Sequence, residues 1–291
     1  MSDQLFYVSP SKPSWSNLFI AVLIVIIPAL LLGYIYALLT FINPILYINF
    51  LMTVGAGLLL GLLARFVIRL VKIRNRKSKY LLTGILVLLF HFFQWSGFML
   101  FAISDGYMGI GPFLSFLPVC LNPVFFFGII AELFQTGYWV IFGGTIKGFV
   151  ALLVWTAELA IAGGLAFQAV VMTKDYPYSE DLARWYPKFT LDNQFRSVVG
   201  SDAFIEKLNA DLIGTLDEIA EGIAYKYALV HIFFLPYEKV QYLSFENVFI
   251  EGRGRGKTNS SLPINNLKIS TEDAKMLMQK FGAKQERIDV I

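Results

Sequence analysis

The sequence predicts an α-helical integral membrane bundle, with four spans plus an interfacial or re-entrant segment, followed by a C-terminal soluble α+β domain. Of the 291 residues, 56% are hydrophobic and only 15% are charged, whereas a typical soluble domain is about 25% charged. No charged residue occurs from Pro13 to Ala64, a stretch more than twice the roughly 20 residues that one span needs. Charge returns from Lys174 onward, where the chain carries 15 of its 24 basic residues and 17 of its 21 acidic residues. We therefore predict a transmembrane bundle over residues 1–173 and a cytosolic domain over residues 174–291.

Four apolar segments of the bundle are long enough to cross a membrane, at about 15–40, 46–67, 80–103 and 146–172. Pro28 lies inside the first segment, where neighbouring helices can satisfy the freed carbonyl, so we expect a kink rather than a break. The second segment places Thr53, Gly57 and Gly61 four residues apart. Small residues at this spacing let another helix approach closely. That helix belongs either to the same chain or to a second copy.

The basic residues of the bundle are concentrated between the second and third segments. Seven of the nine that precede position 174 lie there: Arg65, Arg69, Lys72, Arg74, Arg76, Lys77 and Lys79. Because loops rich in lysine and arginine stay in the cytoplasm, we expect this loop and the N-terminus to be cytoplasmic. The charges should lie at the headgroup level, where each attracts an anionic leaflet by about 1 kcal/mol. Nucleic-acid binding is the alternative, but a membrane anchor explains the charges without it.

The chain between the third and fourth segments is harder to assign. Residues 105–123 are apolar but rich in glycine and proline, so we do not expect one regular helix. Val124–Phe142 is long enough to span but carries Glu132 and Gln135 near its centre. We expect an interfacial or re-entrant helix on the outer side, since irregular backbone at membrane depth must be buried in protein or line water. A fifth span here would put the C-terminal domain outside. We favour four spans, in the plasma (cytoplasmic) membrane, with both termini cytoplasmic.

The C-terminal domain combines helix and strand patterns. Its predicted elements are, in order, a short helix from Ser179 to Tyr186, a helix over Asp202–Ile219, a hairpin of Tyr225–Leu235 and Val240–Ile250, a strand at Leu267–Ile269 and a final helix. The helices are predicted from apolar spacing, and the strands from β-branched and aromatic residues. Ser270 and Asp273 form a capping box before the final helix, and Gly282 predicts its end.

Two ionisable residues lie inside the predicted spans. His91 lies near the middle of the third span and Glu158 near the middle of the fourth. Such residues are costly to bury in a membrane and mark a candidate functional site. Since their depths match, we expect them to face each other, with Gln94, one turn from His91, joining them. The pair either relays protons or senses pH, or it holds the helices in register as a neutral pair.

The segment FIEGRGRGKTNSS, residues 249–261, has the Gly-Lys-Thr of a phosphate-binding loop but not its pattern. That pattern, G-x-x-x-x-G-K-[ST], requires glycine at position 251, where this chain has Glu251. A phosphate-binding loop also opens a helix, whereas helix breakers follow here. We therefore predict a basic loop at a hairpin tip, with Arg253, Arg255 and Lys257 either in solvent or in contact with lipid headgroups or an acidic partner. RNA is a weaker alternative, because no aromatic platform accompanies the charges.

No catalytic constellation is evident in the sequence. The only cysteine, Cys120, is expected to be a small apolar filler, and His231 lies alone in a strand pattern. No nucleophile has an evident base, and no metal-ligand spacing is present. We predict no catalytic residues, no metal site and no cofactor.

One part of the chain resembles a known group of proteins. TGYWVIFGGTIKGFVALLVWTAELAIAGG, followed by YPYSEDLARWY, resembles a group of uncharacterised bacterial multi-pass membrane proteins, over about residues 136–186. In that group a Trp-x-x-Glu span precedes a segment that opens a cytosolic domain. The resemblance implies that Trp155 and Glu158 belong to a recurring span, but it brings no known activity. Relatives often carry cysteines near Ser179–Trp185; this chain has none there, so no metal or redox role is implied.

From these observations we expect a non-enzymatic membrane anchor or regulatory module that acts through its cytosolic domain. The alternative is a small transporter or proton-conducting channel that uses the His91–Glu158 pair. The expected partners are anionic headgroups of the bilayer and a protein bound by the domain. A homo-oligomer is compatible with the sequence, and no nucleic acid is expected.

Overall fold

A computed structural model describes residues 5–9, 14–43, 46–103, 110–137, 140–141, 144–172, 176–223, 225–251 and 257–286. The chain divides into two compact units. One is formed by Pro10–Lys174 and the other by Met1–Ser9 together with Asp175–Val290. The N-terminal segment therefore belongs to the second unit, although it precedes the first helix in the sequence.

The first unit is helical. Its elements are α1 (Trp15–Ile42), α2 (Leu46–Leu70), α3 (Arg76–Ile103), α4 (Ile110–Leu121), α5 (Pro123–Thr136), the short pair β1 (Val140–Ile141) and β2 (Gly144–Thr145), and α6 (Gly148–Val171). Four of the described helices, α1, α2, α3 and α6, are long and apolar enough to cross a membrane, as the sequence predicts. Pro28 lies within α1, and the helix continues through it.

The segment between α3 and α6 contains two short helices. Residues 110–121 form α4, and Asn122 separates it from α5, so residues 110–123 are not one regular helix, as predicted; residues 104–109 lie outside the described residues. The axes of α4 and α5 differ by 92°. The two helices have 12 and 14 residues, about 18 and 21 Å at 1.5 Å per residue, so neither alone reaches across a hydrocarbon core of roughly 30 Å.

Small residues let α2 and α6 pack closely within this chain. A Cβ atom placed on Gly57 would lie 2.8 Å from the carbonyl oxygen of Ala162, and one on Gly61 would lie 2.6 Å from the Cβ of Ala169. Cβ atoms essentially never come closer than 3.0 Å to another heavy atom. The face with four-residue spacing is therefore occupied by a helix of the same chain, which is one of the two alternatives open from the sequence.

The second unit contains most of the β-structure. Its elements are β3 (Tyr178–Ser179), β4 (Arg184–Trp185), β5 (Lys188–Leu191), β6 (Phe195–Arg196), α7 (Asp202–Ala210), α8 (Leu212–Glu218), β7 (Lys226–Phe233), β8 (Val240–Glu251), β9 (Lys257–Ser270), α9 (Thr271–Phe281) and β10 (Ala283–Gln285). The main sheet is antiparallel in the order β10-β5-β7-β8-β9, and β6 also pairs with β7. One sheet face packs on the helices: Ala228, Val230 and Ile232 of β7 share a core with Leu208, Leu216 and Leu277.

Several predicted elements of this unit are confirmed. The hairpin of β7 and β8 is present, and Ser270 accepts a hydrogen bond from the backbone N–H of Asp273 at the start of α9. Gly282 follows α9 with a φ of +67°, which glycine adopts without steric cost.

Two predicted elements are wrong, and a third is present but longer than predicted. The helix expected from Ser179 is the β3–β4 pair, in which the Ser179 hydroxyl accepts from the N–H of Leu182. The helix expected over 202–219 is broken at Asp211, whose carboxylate caps α8 through the N–H of Gly214. The strand predicted at Leu267–Ile269 lies within β9, which is 14 residues long. Pairing with β8 outweighs the weak strand propensity of its asparagines and serines.

Residues 5–9 extend the sheet unit beyond β9. The N–H of Lys268 donates to the carbonyl of Leu5 at 2.8 Å, and the N–H of Tyr7 donates to the carbonyl of Asn266 at 2.9 Å. The ring of Tyr7 also packs edge-on against Tyr242, with centroids 5.4 Å apart. These bonds satisfy part of the outer edge of the sheet, which is otherwise a site of unwanted pairing.

The α2–α6 contact yields a stability prediction. Gly57→Ala places a methyl group against backbone atoms of α6, so we expect a loss of about 1–3 kcal/mol in the free energy of unfolding. Gly55→Ala is the matched control, since no atom lies within 4 Å of its Cβ position, and alanine favours a helix by up to about 1 kcal/mol. Unfolding of the purified protein in detergent measures both. Equal stability of the two variants would contradict the packing.

Candidate functional site

Five polar side chains from four helices form one hydrogen-bonded cluster, here called the bundle network: Tyr36, Thr53, His91, Gln94 and Glu158. They lie on α1, α2, α3, α3 and α6 respectively. Tyr36 is six residues before the end of α1, and Glu158 is ten residues after the start of α6. The hydrogen bonds between them place the five side chains at one level of the bundle.

Glu158 is the centre of the bundle network. The Tyr36 hydroxyl is hydrogen-bonded to Glu158 Oε1 and to Thr53 Oγ1, the latter at 2.7 Å. Gln94 Nε2 donates to Glu158 Oε2 at 3.3 Å, and Gln94 Oε1 is hydrogen-bonded to His91 Nδ1 at 2.9 Å. Each other member thus reaches Glu158 directly or through one intermediate side chain.

The network agrees in part with the sequence prediction. His91 and Glu158 do belong to one cluster, but Gln94 bridges them, and no direct hydrogen bond joins them among the described contacts. Tyr36 and Thr53 were missed. In the sequence, Thr53 fits the small-residue face of the second span. Nothing in the apolar segment around Tyr36 indicates that its hydroxyl has a polar partner. The signal that identified His91 and Glu158 was their position near the middle of their predicted spans, whereas Tyr36 and Thr53 lie nearer the ends of theirs.

Aromatic rings enclose the bundle network. The Phe90 ring lies 5.5 Å from the Tyr36 ring and 5.2 Å from the His91 ring, and Trp95 packs on Trp155 at 4.7 Å. His91 Nε2 is buried and has no hydrogen-bond partner within the described part of the chain. Buried polar atoms are normally hydrogen-bonded. A purely structural cluster would be expected to satisfy this nitrogen, and the bundle network does not.

The predicted basic residues lie where α2 ends and α3 begins. Arg65 and Arg69 lie on the last turns of α2, Lys72 and Arg74 lie in the connection, and Arg76, Lys77 and Lys79 lie on the first turn of α3. The connection is well ordered by hydrogen bonds: the Asn17 side chain donates to the carbonyl of Val71 at 3.0 Å, and Asn75 Oδ1 accepts from the N–H of Ser78 at 3.1 Å. The charges are therefore held on a defined turn.

The predicted basic loop is described only at its edges. Glu251 ends β8 and lies opposite Lys257, which begins β9, in the register of the two strands. Arg253 and Arg255 lie outside the described residues. Because a strand rather than a helix follows, the segment lacks the helix N-terminus that a phosphate-binding loop needs. This agrees with the exclusion of a nucleotide site made from the sequence.

A second polar cluster lies on the sheet of the second unit, and the sequence did not predict it. His231 Nε2 contacts Glu246 Oε2 at 3.0 Å, and His231 Nδ1 is hydrogen-bonded to Thr190 Oγ1 at 2.8 Å. The Thr190 hydroxyl also donates to Glu286, which accepts from Lys188 Nζ at 2.5 Å. The sequence predicts His231 as an isolated strand histidine, because its two hydrogen-bond partners are 15 and 41 residues distant in sequence.

This sheet cluster supports structure more than catalysis. A hydroxyl, an imidazole and a carboxylate in series are the parts of an activated nucleophile. Here, however, the Glu286 carboxylate also contacts the Thr190 hydroxyl, and its negative charge opposes formation of an alkoxide. Burial lowers the pKa of His231, and the hydrogen bond to Glu246 offsets this only in part. The cluster instead links the chain after β10 to β5 and β7.

The sheet cluster yields a prediction for acid stability. Burial alone would raise the pKa of Glu286, but hydrogen bonds from Lys188 and Thr190 outweigh burial and hold it below its usual value. Its contribution to stability is therefore present above the unfolded-state pKa of about 4.3 and is lost as pH falls through the lower folded-state pKa. Glu286→Gln should flatten the fall in unfolding temperature below about pH 5. Glu221→Gln, at an exposed position, is the control, and equal acid slopes in both variants would contradict the assignment.

Comparison with known proteins does not assign a function to this chain. No protein-family model, no curated protein and no solved structure matches the chain. Among the residues that the structure describes, no group of three or more His, Cys, Asp or Glu side chains is arranged to hold a metal ion. The bundle network is therefore the candidate functional site of this chain.

Proposed function

We propose that this chain is a multi-pass protein of the plasma (cytoplasmic) membrane, in which the bundle anchors and regulates a cytosolic interaction domain without enzymatic activity. The observation that carries the proposal is the bundle network, which connects four long apolar helices through one carboxyl group. Such a group sets how the helices pack, and its protonation state can bias that packing.

The pairing of residues 5–9 supports a topology with both termini on one side. Leu5 and Tyr7 are hydrogen-bonded to β9, so the N-terminal segment and the sheet must lie on the same side of any membrane that the chain crosses. The number of crossings between them is then even. Four spans meet this condition, whereas α4 and α5 taken together as a fifth span do not.

The basic turn between α2 and α3 supports a cytoplasmic location and an anionic lipid partner. From residue 14 to residue 103 the chain contains no acidic residue, so positive charge dominates this part of the sequence. The positive-inside rule assigns such a turn to the cytoplasm, where positive charge at the headgroup level attracts anionic lipids.

The domain has surface features that suit a protein partner. An open groove of about 570 Å³ lies between the α7–α8 corner and the β8–β9 pair. Apolar and charged side chains line it, among them Leu208, Leu212, Val240, Ile269, Lys239, Lys268, Asp211 and Asp273. Tyr237, at the turn between β7 and β8, is 97% exposed. An exposed aromatic side chain and a mixed groove are typical of interaction surfaces.

A second candidate function, proton conduction, is favoured by a specific observation. His91, Gln94, Glu158, Tyr36 and Thr53 form a continuous series of hydrogen-bonded groups, and such series carry protons in pumps and transporters. Two features oppose it. Gln94 cannot titrate, and four helices with few polar residues provide no evident aqueous pore without oligomerisation.

The topology is tested with reporter fusions to the full chain. A reporter at each terminus should indicate the cytoplasm, because the pairing with β9 requires both ends on one side. A fusion truncated after Ile103, at the end of the third long helix, should report the outer side and serves as the control. Termini on opposite sides would contradict both the four-span topology and the pairing of residues 5–9 in the membrane.

The two candidate functions are separated by proton flux in reconstituted vesicles under an imposed pH gradient. An anchor predicts the same flux for wild type, Glu158→Gln and protein-free vesicles. Conduction predicts a wild-type flux that Glu158→Gln abolishes and Glu132→Gln preserves, since the Glu132 side chain is exposed on α5 outside the network. Flux with this pattern would contradict the anchor proposal and support proton conduction.

A further inference from the structure

We infer that Glu158 binds a proton in the folded bundle, and that this proton completes a chain of hydrogen bonds across α6, α1 and α2. The bundle network is thus a proton-binding site whose ligand is held between Glu158 Oε1 and the Tyr36 hydroxyl oxygen. The inference rests on the proposed regulatory role of this network and deepens it, since it names the ligand whose loss would change the packing.

The inference comes from counting protons along three contacts in series. Glu158 Oε1 contacts the Tyr36 hydroxyl, which contacts Thr53 Oγ1 at 2.7 Å, and Thr53 Oγ1 contacts the carbonyl oxygen of Asn49 at 2.9 Å. Each hydroxyl supplies one proton, and the carbonyl oxygen supplies none. Two hydroxyl protons cannot give each of the three contacts a proton of its own. A proton on Glu158 supplies the third.

With Glu158 protonated, the chain has a single direction. The carboxyl O–H donates to Tyr36, the Tyr36 O–H donates to Thr53, and the Thr53 O–H donates to the Asn49 carbonyl. All three contacts are then hydrogen bonds. With Glu158 ionised, the Tyr36 hydroxyl donates to Glu158, and the Thr53 hydroxyl has one proton for two oxygens, that of Tyr36 and the Asn49 carbonyl.

The surroundings of Glu158 favour the neutral acid for a second reason. Its described partners are Tyr36 and Gln94, neither of which carries a positive charge. An ionised carboxylate buried without a cation is so unfavourable that the group normally takes up a proton instead. Gln94 Nε2 donates to Glu158 Oε2, which is the carbonyl oxygen when the proton resides on Oε1. Both carboxyl oxygens are therefore satisfied.

The α3 side of the network fits the same state. Because Gln94 uses its Nε2 group towards Glu158, its Oε1 faces His91 and accepts from His91 Nδ1–H. The lone pair of His91 Nε2 then has no donor. The network thus contains one occupied proton site, on Glu158, and one vacant acceptor, on His91, with Gln94 between them. Within the described part of the chain, Tyr36 and Gln94 are hydrogen-bonded to Glu158, and Thr53 and His91 are joined to it through them.

Infrared spectroscopy of the full chain in lipid vesicles tests the inference. Wild type at neutral pH should have a C=O stretching band of a protonated carboxyl, which Glu158→Gln removes and Glu132→Gln leaves in place. Tyr36→Phe should shift the band, because the proton loses its acceptor. The presence of the band does not depend on flux or on partner binding, so its absence would overturn the proton site while leaving the anchor function standing.

Stability provides the second measurement. A glutamine amide reproduces the donor and the acceptor of a protonated carboxyl, so Glu158→Gln should keep the unfolding equilibrium constant within about threefold of wild type, and Glu158→Ala should raise it more than tenfold. Wild type should lose stability as pH rises, and Glu158→Gln should lose the part of that slope due to Glu158. A glutamine variant that fails to fold, or is destabilised as much as the alanine variant, would overturn the inference.

Discussion

The arrangement of the bundle depends on one requirement: a carboxyl group on α6 must find hydrogen-bond partners in apolar surroundings. A carboxyl buried without partners would cost several kcal/mol. Tyr36 and Gln94 supply the partners from α1 and α3. The helices that carry them must therefore lie next to α6 and at the correct rotation, which is a stricter condition than apolar packing alone imposes.

Close helix packing is what makes this requirement achievable. Helices in a membrane gain little from burying apolar side chains against each other, so they approach where small residues allow it. Gly57 and Gly61 bring α2 against α6, and Gly33 brings α1 so near to α3 that a Cβ atom there would lie 2.8 Å from the backbone nitrogen of Gln94. The glycines thus set the spacing at which Tyr36 and Gln94 reach Glu158. Polar contacts and small-residue packing select the same arrangement.

The sequence predicts the parts of this structure that depend on local composition. The four long helices follow from hydropathy, and the start of α9 follows from the capping pattern of Ser270 and Asp273. Elements decided by distant partners were missed. Tyr36 is 122 residues from Glu158 in sequence, and nothing near Tyr36 indicates that a carboxyl lies opposite. The length of β9 likewise comes from its pairing with β8, against the preference of its own residues.

A change in the bundle network has a direct covalent route to the domain. The Tyr36–Glu158 hydrogen bond joins α1 to α6, and these are the two helices whose other ends continue into the second unit. Five residues separate Ser9, in the segment that pairs with β9, from Trp15 at the start of α1, and three separate Met172 from Tyr176, which packs on Phe233. Under the proposed function, the protonation state of Glu158 acts on the domain through these two chain connections.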